Sequence, residues 1–134
     1  MIFDLYADPP PNENFINLPI LQKTSDAYKL WQAYVRNFPK DLRYSLGGKI
    51  DLMFIEIIKS LFTASYLIKE QKIPHLQRAT LKLDLLKFFL QLSWECKALD
   101  SKKFSAISEL TVEVGKMLGG WQKQVNTKVN PAYH

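Results

Sequence analysis

The chain has 134 residues, of which 47% are hydrophobic, 13% aromatic and 23% charged. This composition is typical of one globular domain and excludes the disordered, collagen-like and repeat-array classes. Folding a chain of this length buries roughly two thirds of its unfolded surface. We therefore expect a hydrophobic core that needs no disulfide, and the single Cys96 cannot form an internal bridge.

Charge is distributed unevenly along the chain. Residues 1–21 contain three acids and no Lys or Arg, so residues 22–134 hold all 18 cations against the other 10 acids. This body carries +8, within a chain of net charge +5. A basic body favours an anionic partner, most commonly nucleic acid, and an excess of cations that only maintains solubility is an equal alternative.

The termini and the hydrophobic middle contain no targeting or membrane signal. The N-terminus lacks the basic start and the continuous apolar stretch of a signal peptide. The longest charge-free run in the middle extends only from Ser60 to Ile68, well short of the roughly 20 apolar residues that span a bilayer. The sequence predicts a cytoplasmic protein that does not use a membrane.

The N-terminal segment differs from the rest of the chain. Three consecutive prolines, residues 9–11, and nearby asparagines favour extended and turn conformations. We expect residues 1–21 to form an irregular arm that lies partly on the body or on a neighbouring subunit. Helical spacing begins after it, with Thr24 or Ser25 as the predicted N-cap. Pro39 ends this first helix.

Two further helices occupy the middle of the chain. The second is predicted from its N-cap Asp41 to about Lys69. Gln71 and Lys72 form the following break, and Pro74 begins the third helix because a missing N–H is tolerated in the first turn. The third helix has its principal apolar stripe at Leu76, Ala79, Leu83, Leu86, Leu90 and Trp94.

A fourth helix completes the predicted fold. Asp100 and Ser101 supply its cap, and Gly119-Gly120 is its predicted stop. Four helices with short connections pack most simply as an antiparallel up-down-up-down four-helix bundle. The predicted fold is all-α, with the arm over residues 1–21, the bundle over 22–125 and a C-terminal tail over 126–134.

The second and third helices carry apolar residues on a second side, away from the core stripe. A small bundle cannot bury both sides of two helices, and monomers seldom expose apolar patches beyond a few hundred Å². Self-association is predicted, and packing by the arm against a broad core face is the alternative. The candidate interface residues are Leu52, Ile55, Phe62, Tyr66, Leu81, Leu85, Phe88, Phe89 and Leu92.

Three small residues on the last two helices require an explanation. Gly115 and Gly119 stand one turn apart, and each costs about 1 kcal/mol relative to alanine inside a helix. Close approach of another element would compensate, although a helix stop explains Gly119 equally well. Cys96 falls on the second apolar side, so we expect an inert, buried thiol.

No motif for catalysis or cofactor binding is found. Gly48-Lys49 lacks the spacing of a phosphate-binding loop, and two histidines with one cysteine cannot form the usual metal clusters. Glu109 and Glu113, four residues apart, are better explained by a solvated helix face than by acid/base catalysis. The sequence predicts no enzyme activity, no catalytic residue, no metal and no cofactor.

A cationic surface is the remaining candidate for function. His75, Arg78 and Lys82 lie along one stripe of the third helix, where they can contact phosphates with salt-sensitive, sequence-independent affinity. Three residues alone are weak evidence, and solubility explains them better. Repeated around a symmetric oligomer, they would form a continuous positive band.

Three stretches of the chain resemble a known family when taken together. They are FPKDLRYSLG at residues 38–47, LDLLKFFL at 83–90 and VGKMLGGW at 114–121. Over about residues 22–123 the chain is similar to the Avd-like four-helix-bundle proteins, the accessory variability determinants of diversity-generating retroelements. The first stretch also resembles bundle proteins encoded in ribosomal-RNA intervening sequences, whereas GKMLGGW favours the Avd branch.

The resemblance implies a homopentameric barrel of bundles whose basic surface binds the retroelement's reverse transcriptase and nucleic acid, either RNA or DNA. It also implies that the reverse transcriptase performs the catalysis, while the accessory supports mutagenic copying of a template RNA into cDNA. A structural or interaction bundle of the intervening-sequence type is the alternative. The candidate nucleic-acid contacts are Arg43, Lys49, Arg78, Lys82, Lys87 and Lys116; Arg43 is equally a candidate ion-pair partner of Asp84 or another acid.

Overall fold

A computed structural model describes residues 18–129, and nearly all of them are helical, with no strand in this range. The predicted arm and tail lie largely outside the described residues, which leave out 1–17 and 130–134. The helices are α1 (Pro19–Val35), α2 (Lys40–Tyr44), α3 (Leu46–Tyr66), α4 (Lys69–Glu95) and α5 (Ser101–Val129).

The four long helices form the predicted antiparallel bundle, and α2 is a short helix in the connection between α1 and α3. Around the bundle, α1 packs on α3 and α5, while α4 packs on the same two helices from the opposite side. Lys23 pairs with Glu113 at 2.9 Å, and the Lys103 ammonium lies 5.6 Å from the centroid of the Tyr34 ring. These two contacts show that α1 and α5 run antiparallel, as the up-down-up-down order requires.

Aromatic side chains fill the core between α1 and α3. Trp31, Phe38 and Phe54 are almost completely buried. The ring of Trp31 meets Phe38 edge-on at a centroid distance of 5.3 Å and stacks on Phe54 at 6.4 Å. The buried hydroxyl of Thr24 donates a 2.7 Å hydrogen bond to the Ile20 carbonyl, so its burial leaves no unpaired polar group.

Helix α1 begins five residues before the predicted cap at Thr24. Pro19 fits the first helical position because its fixed φ is helical and its missing N–H is not needed there. Ile20 and Leu21 are buried, and this burial holds the first turn against the core. The helix therefore includes residues 19–21, which the sequence prediction assigned to the arm.

The predicted break between the second and third long helices is wrong in its position. The connection consists of Leu67 and Ile68, whereas Gln71 and Lys72 lie inside α4. Pro74 is also inside α4 and is not its first residue. A proline suits the first turn of a helix, but α4 begins five residues before Pro74, at Lys69.

Lys72 connects three helices beside this break. Its ammonium donates a 2.5 Å hydrogen bond to the Ala64 carbonyl near the end of α3 and lies 5.7 Å from the ring centroid of Trp121 on α5. Partial burial lowers the pKa of Lys72 from its usual value. Lys72 is therefore used in holding the bundle together and is poorly placed for an external ligand.

The predicted stop at Gly119-Gly120 is also wrong, because α5 continues to Val129. Beyond the two glycines, Val125 is buried and Trp121 packs against the core. This burial offsets the helical cost of the glycines, which is about 1 kcal/mol each.

The corner between α4 and α5 is a Schellman motif built without glycine. Lys97 has a positive φ of 67°, and the N–H of the next residue reaches the Ser93 carbonyl at 2.8 Å. The predicted cap of the last helix is confirmed, since the Asp100 carboxylate accepts a 2.8 Å hydrogen bond from the Lys103 N–H. The expectation of a buried Cys96 is wrong: this residue ends α4 in the corner and is exposed.

Two adjacent glycines at the start of α3 have different surroundings. A Cβ on Gly47 would lie 3.0 Å from a methyl carbon of Val35 and 3.4 Å from the Leu42 carbonyl oxygen. A Cβ on Gly48 would meet nothing within 4 Å in the described part of the chain. Of the two, only Gly47 is closely packed by other parts of the described chain.

Candidate nucleic-acid interface

A shallow groove of about 500 Å³ runs between α3 and α4, and most of the side chains that line it are polar or charged. We call it the α3–α4 groove. On each helix these residues recur at intervals of three or four, so they share one side. The lining residues are Glu56, Lys59, Ser60 and Thr63 from α3 and His75, Arg78, Leu81 and Lys82 from α4. The structure thus brings the predicted stripe of the third long helix together with an unpredicted Lys59.

One cation of the groove is already paired inside the subunit. The Lys82 ammonium lies 2.9 Å from a carboxylate oxygen of Glu56, and both side chains are about one third exposed. The hydrogen bond and the positive charge of Lys82 lower the pKa of Glu56, with a smaller contribution from Lys59. Glu56 is therefore ionised at neutral pH and competes with any external anion for Lys82.

The other two permanent cations of the groove are open to solvent. Arg78 is exposed, and its Nη1 lies 3.4 Å from Nδ1 of the His75 ring. Lys59 is also exposed. Within residues 18–129 neither Lys59 nor Arg78 has a carboxylate at ion-pair distance. Both can therefore bind a phosphate without breaking an internal ion pair.

A second groove, of about 300 Å³, brings Lys87 and Lys116 together between α4 and α5. Lys87 lies 3.9 Å from the carboxylate of Asp84. A Cβ on Gly115 would lie 3.3 Å from the Lys87 ammonium, so the predicted close approach at Gly115 is to a lysine side chain. A Cβ on Gly119 would contact nothing within 4 Å of the described residues, and neither prediction for Gly119 explains it within the subunit.

The other two predicted contacts lie outside both grooves. Lys49 is exposed near the start of α3. Arg43 donates hydrogen bonds to the carbonyl oxygens of Arg36 at 3.1 Å and Phe38 at 3.2 Å. It holds the corner between α1 and α2 through these carbonyls and forms no ion pair with Asp84. This structural role makes Arg43 the weakest of the six candidate contacts.

The second apolar face is present, and most of its predicted members are exposed. Seven of the nine are exposed, while Phe89 packs partly against the core and Leu92 is half-buried. The exposed members are Leu52, Ile55, Phe62 and Tyr66 on α3 and Leu81, Leu85 and Phe88 on α4. Two adjacent helices thus present large apolar side chains to the outside of one subunit.

Across the described residues, no three His, Cys, Asp or Glu side chains are grouped so that they would hold a metal ion. In the same part of the chain, every helix falls short of the combined length and apolarity that crossing a membrane requires.

Fold and surface together define an all-α bundle protein with basic grooves and an exposed apolar face. A family model described as bAvd-like matches residues 18–125. The chain therefore belongs to the bAvd-like family, which confirms the resemblance seen in the three sequence stretches. Comparisons with curated proteins and with solved structures give no match.

Sequence reasoning missed Glu56 and Lys59 as members of the site. A signal was present, because polar residues at positions 56, 59, 60 and 63 recur at helical spacing within an otherwise apolar helix. Such a stripe marks the side of α3 that borders the groove.

Proposed function

We propose that the protein is a non-catalytic accessory of a diversity-generating retroelement. It binds the reverse transcriptase together with template RNA or its cDNA, and it supports mutagenic reverse transcription while the polymerase performs the chemistry. Membership of the bAvd-like family over residues 18–125 supports the accessory role. The proposal places the protein in the cytoplasm with its polymerase.

The α3–α4 groove carries the nucleic-acid part of the proposal. Lys59 and Arg78 are exposed there without ion-pair partners among the described residues. Each cation that neutralises a phosphate releases counterions, which gives affinity that falls with salt and does not depend on sequence. His75 adds a ring nitrogen beside Arg78.

Self-association multiplies this surface. We assign the subunit contact to the apolar stripe of Leu81, Leu85 and Phe88, which follow one another at helical spacing and are all exposed. A homopentamer built on this stripe repeats the groove five times around a symmetry axis. The repeated cations then form a continuous positive surface for one long anionic ligand.

A second candidate function is a structural or interaction bundle of the intervening-sequence type. It is favoured by the internal pairing of Lys82 with Glu56 and of Lys87 with Asp84, which leaves these cations partly neutralised. A bundle of this kind would self-associate or bind a protein without an affinity for RNA.

The first experiment measures the mass of the purified protein by light scattering, alone and with a structured RNA at low and high salt. A pentamer that binds RNA at low salt and releases it at high salt supports the accessory. A monomer or dimer indifferent to RNA contradicts it and favours the second candidate. A reverse-transcriptase gene flanked by template and variable repeats beside this gene, and co-purification with that enzyme, test the partner.

A charge-matched pair of variants tests the groove. Lys59→Glu with Arg78→Glu should weaken RNA binding and reduce the steepness of its salt dependence by about 0.7 for each lost contact with single-stranded RNA. Lys29→Glu with Lys102→Glu changes the net charge equally at exposed positions outside both grooves. Equal losses in the two double variants would show that the groove has no special role. Circular dichroism checks that both remain helical.

A further inference from the structure

An exposed aromatic pair lies beside the α3–α4 groove. The rings of Phe62 and Tyr66 meet edge to face at a centroid distance of 5.3 Å and an interplanar angle of 61°. Phe62 is 39% exposed and Tyr66 is 63% exposed. Lys59, Phe62 and Tyr66 stand at i, i+3 and i+7, so they share one side of α3. Thr63, which follows Phe62 in the chain, lines the groove itself.

This aromatic pair differs from the apolar stripe of α4 in its charged neighbours. Leu81, Leu85 and Phe88 follow one another at helical spacing, and the nearest unpaired cation of the described residues, Arg78, precedes them at one end of the row. On α3, Lys59 stands between Ile55 and Phe62 at helical spacing, so an ammonium with no ion-pair partner among residues 18–129 stands inside the apolar row. Burying an unpaired ammonium in a subunit contact is unfavourable. The aromatic pair is therefore better suited to a hydrated, anionic ligand than to a dry interface.

Rings beside a cationic groove have a specific use in nucleic-acid binding. Unpaired bases stack on exposed aromatic rings while lysine and arginine hold the backbone phosphates, and this combination is typical of single-strand binding. Bases in a duplex are already stacked and paired, so their faces cannot reach rings on the protein surface. Lys59 and Arg78 supply the phosphate contacts next to the rings.

We propose that Phe62 and Tyr66 form a stacking platform for unpaired bases, with the backbone phosphates of the same strand lying along the α3–α4 groove. The protein then prefers single-stranded RNA or single-stranded cDNA to duplex. The inference rests on the proposed function and adds to it the class of nucleic acid and the residues that select it. It removes Phe62 and Tyr66 from the subunit interface.

The test compares three labelled ligands by fluorescence anisotropy: an unstructured oligoribonucleotide, the oligodeoxyribonucleotide of the same sequence, and a duplex of equal length. Phe62→Leu with Tyr66→Leu removes both ring faces but keeps an apolar surface. This double variant should bind the single strands about tenfold more weakly. Its duplex affinity, its salt dependence and its mass by light scattering should not change. Tyr66→Phe, the matched control, keeps the ring and should bind as the unaltered protein does.

Four results would overturn the inference. Full retention of single-strand affinity in the double leucine variant, or an equal loss on duplex, would show that the rings do not stack on bases. A change in assembly mass would return the pair to the subunit interface. If the unaltered protein bound single strand and duplex with equal, salt-sensitive affinity, the stacking platform would be refuted. The proposed function would remain intact. Absence of any nucleic-acid binding would instead refute the proposed function.

Discussion

Glu56→Gln tests whether the α3–α4 groove is restrained by its own carboxylate. In the folded protein, Glu56 lies 2.9 Å from the ammonium of Lys82. Glutamine has almost the same size and keeps an oxygen that accepts a hydrogen bond, but it carries no charge. The formal charge of the groove, from three cations and one carboxylate with His75 neutral, rises from +2 to +3. Lys82 then becomes available to a phosphate.

The expected gain in RNA affinity follows from counterion release. One additional phosphate contact steepens the dependence of log K on log salt by about 0.7 for a single strand. If that contact adds nothing to the affinity at 1 M salt, the steeper slope makes binding about fivefold stronger at 0.1 M salt, which is one tenth of that concentration. Loss of the repulsion between the carboxylate of Glu56 and the phosphate adds to this factor, so fivefold is the lower bound of the expectation.

A salt series of RNA titrations provides the assay, and Glu109→Gln provides the control. Glu109 is an exposed carboxylate on α5 with no ion-pair partner within the described range, so its removal changes the net charge equally. Equal effects from both substitutions would assign the gain to overall charge. Unchanged or weaker binding by Glu56→Gln would refute the competition between Glu56 and phosphate for Lys82.

The remaining predictions concern stability and assembly. Gly48→Ala should raise the free energy of unfolding by about 1 kcal/mol, whereas Gly47→Ala should raise it less because the side chain of Val35 must move by a few tenths of an ångström; urea denaturation of the two variants measures this difference, and equal gains would contradict it. Lys97→Gly should raise the stability by about 1 kcal/mol because it relieves a positive φ, and an unchanged thermal midpoint would contradict that reasoning. Leu85→Glu or Phe88→Glu should dissociate the proposed oligomer while helicity by circular dichroism is retained; an unchanged mass or an unfolded chain would show that the interface is assigned wrongly.

The long helices could be predicted because their apolar residues recur at helical spacing, whereas their ends could not. Pro19 and Gly119-Gly120 are local signals whose meaning depends on distant contacts. The chain is helical from Pro19 because Ile20 and Leu21 reach the core, and α5 continues past its glycines because Val125 does the same. Burial of this kind depends on how the helices pack, which periodicity along one helix does not show.

The part of the candidate site that lies on α4 could be predicted from the sequence, whereas its pairing with residues of α3 could not. Spacing on one helix predicts Arg78 and Lys82. The polar stripe of α3 contains Lys59, but the sequence does not show that this stripe lies against the cationic stripe of α4. The role of Arg43 was inaccessible for a different reason. Its partners are backbone carbonyls, which every residue carries, so the sequence could suggest only a carboxylate partner such as Asp84.

In the proposed function, self-association and nucleic-acid binding both involve Leu81, so the two are expected to depend on each other. Leu81 is 67% exposed and begins the apolar stripe of α4, yet it also lines the α3–α4 groove beside Lys82. A neighbouring subunit that packs on this stripe would therefore cover Leu81 and extend one wall of the groove. Lower dielectric at that wall strengthens the attraction between Arg78 and a phosphate, since no internal carboxylate among the described residues competes for Arg78. A dissociated variant should thus lose RNA affinity for two reasons: each groove binds more weakly, and one RNA can no longer bind several grooves at once. Titration with an oligonucleotide too short to reach two grooves measures the first effect alone.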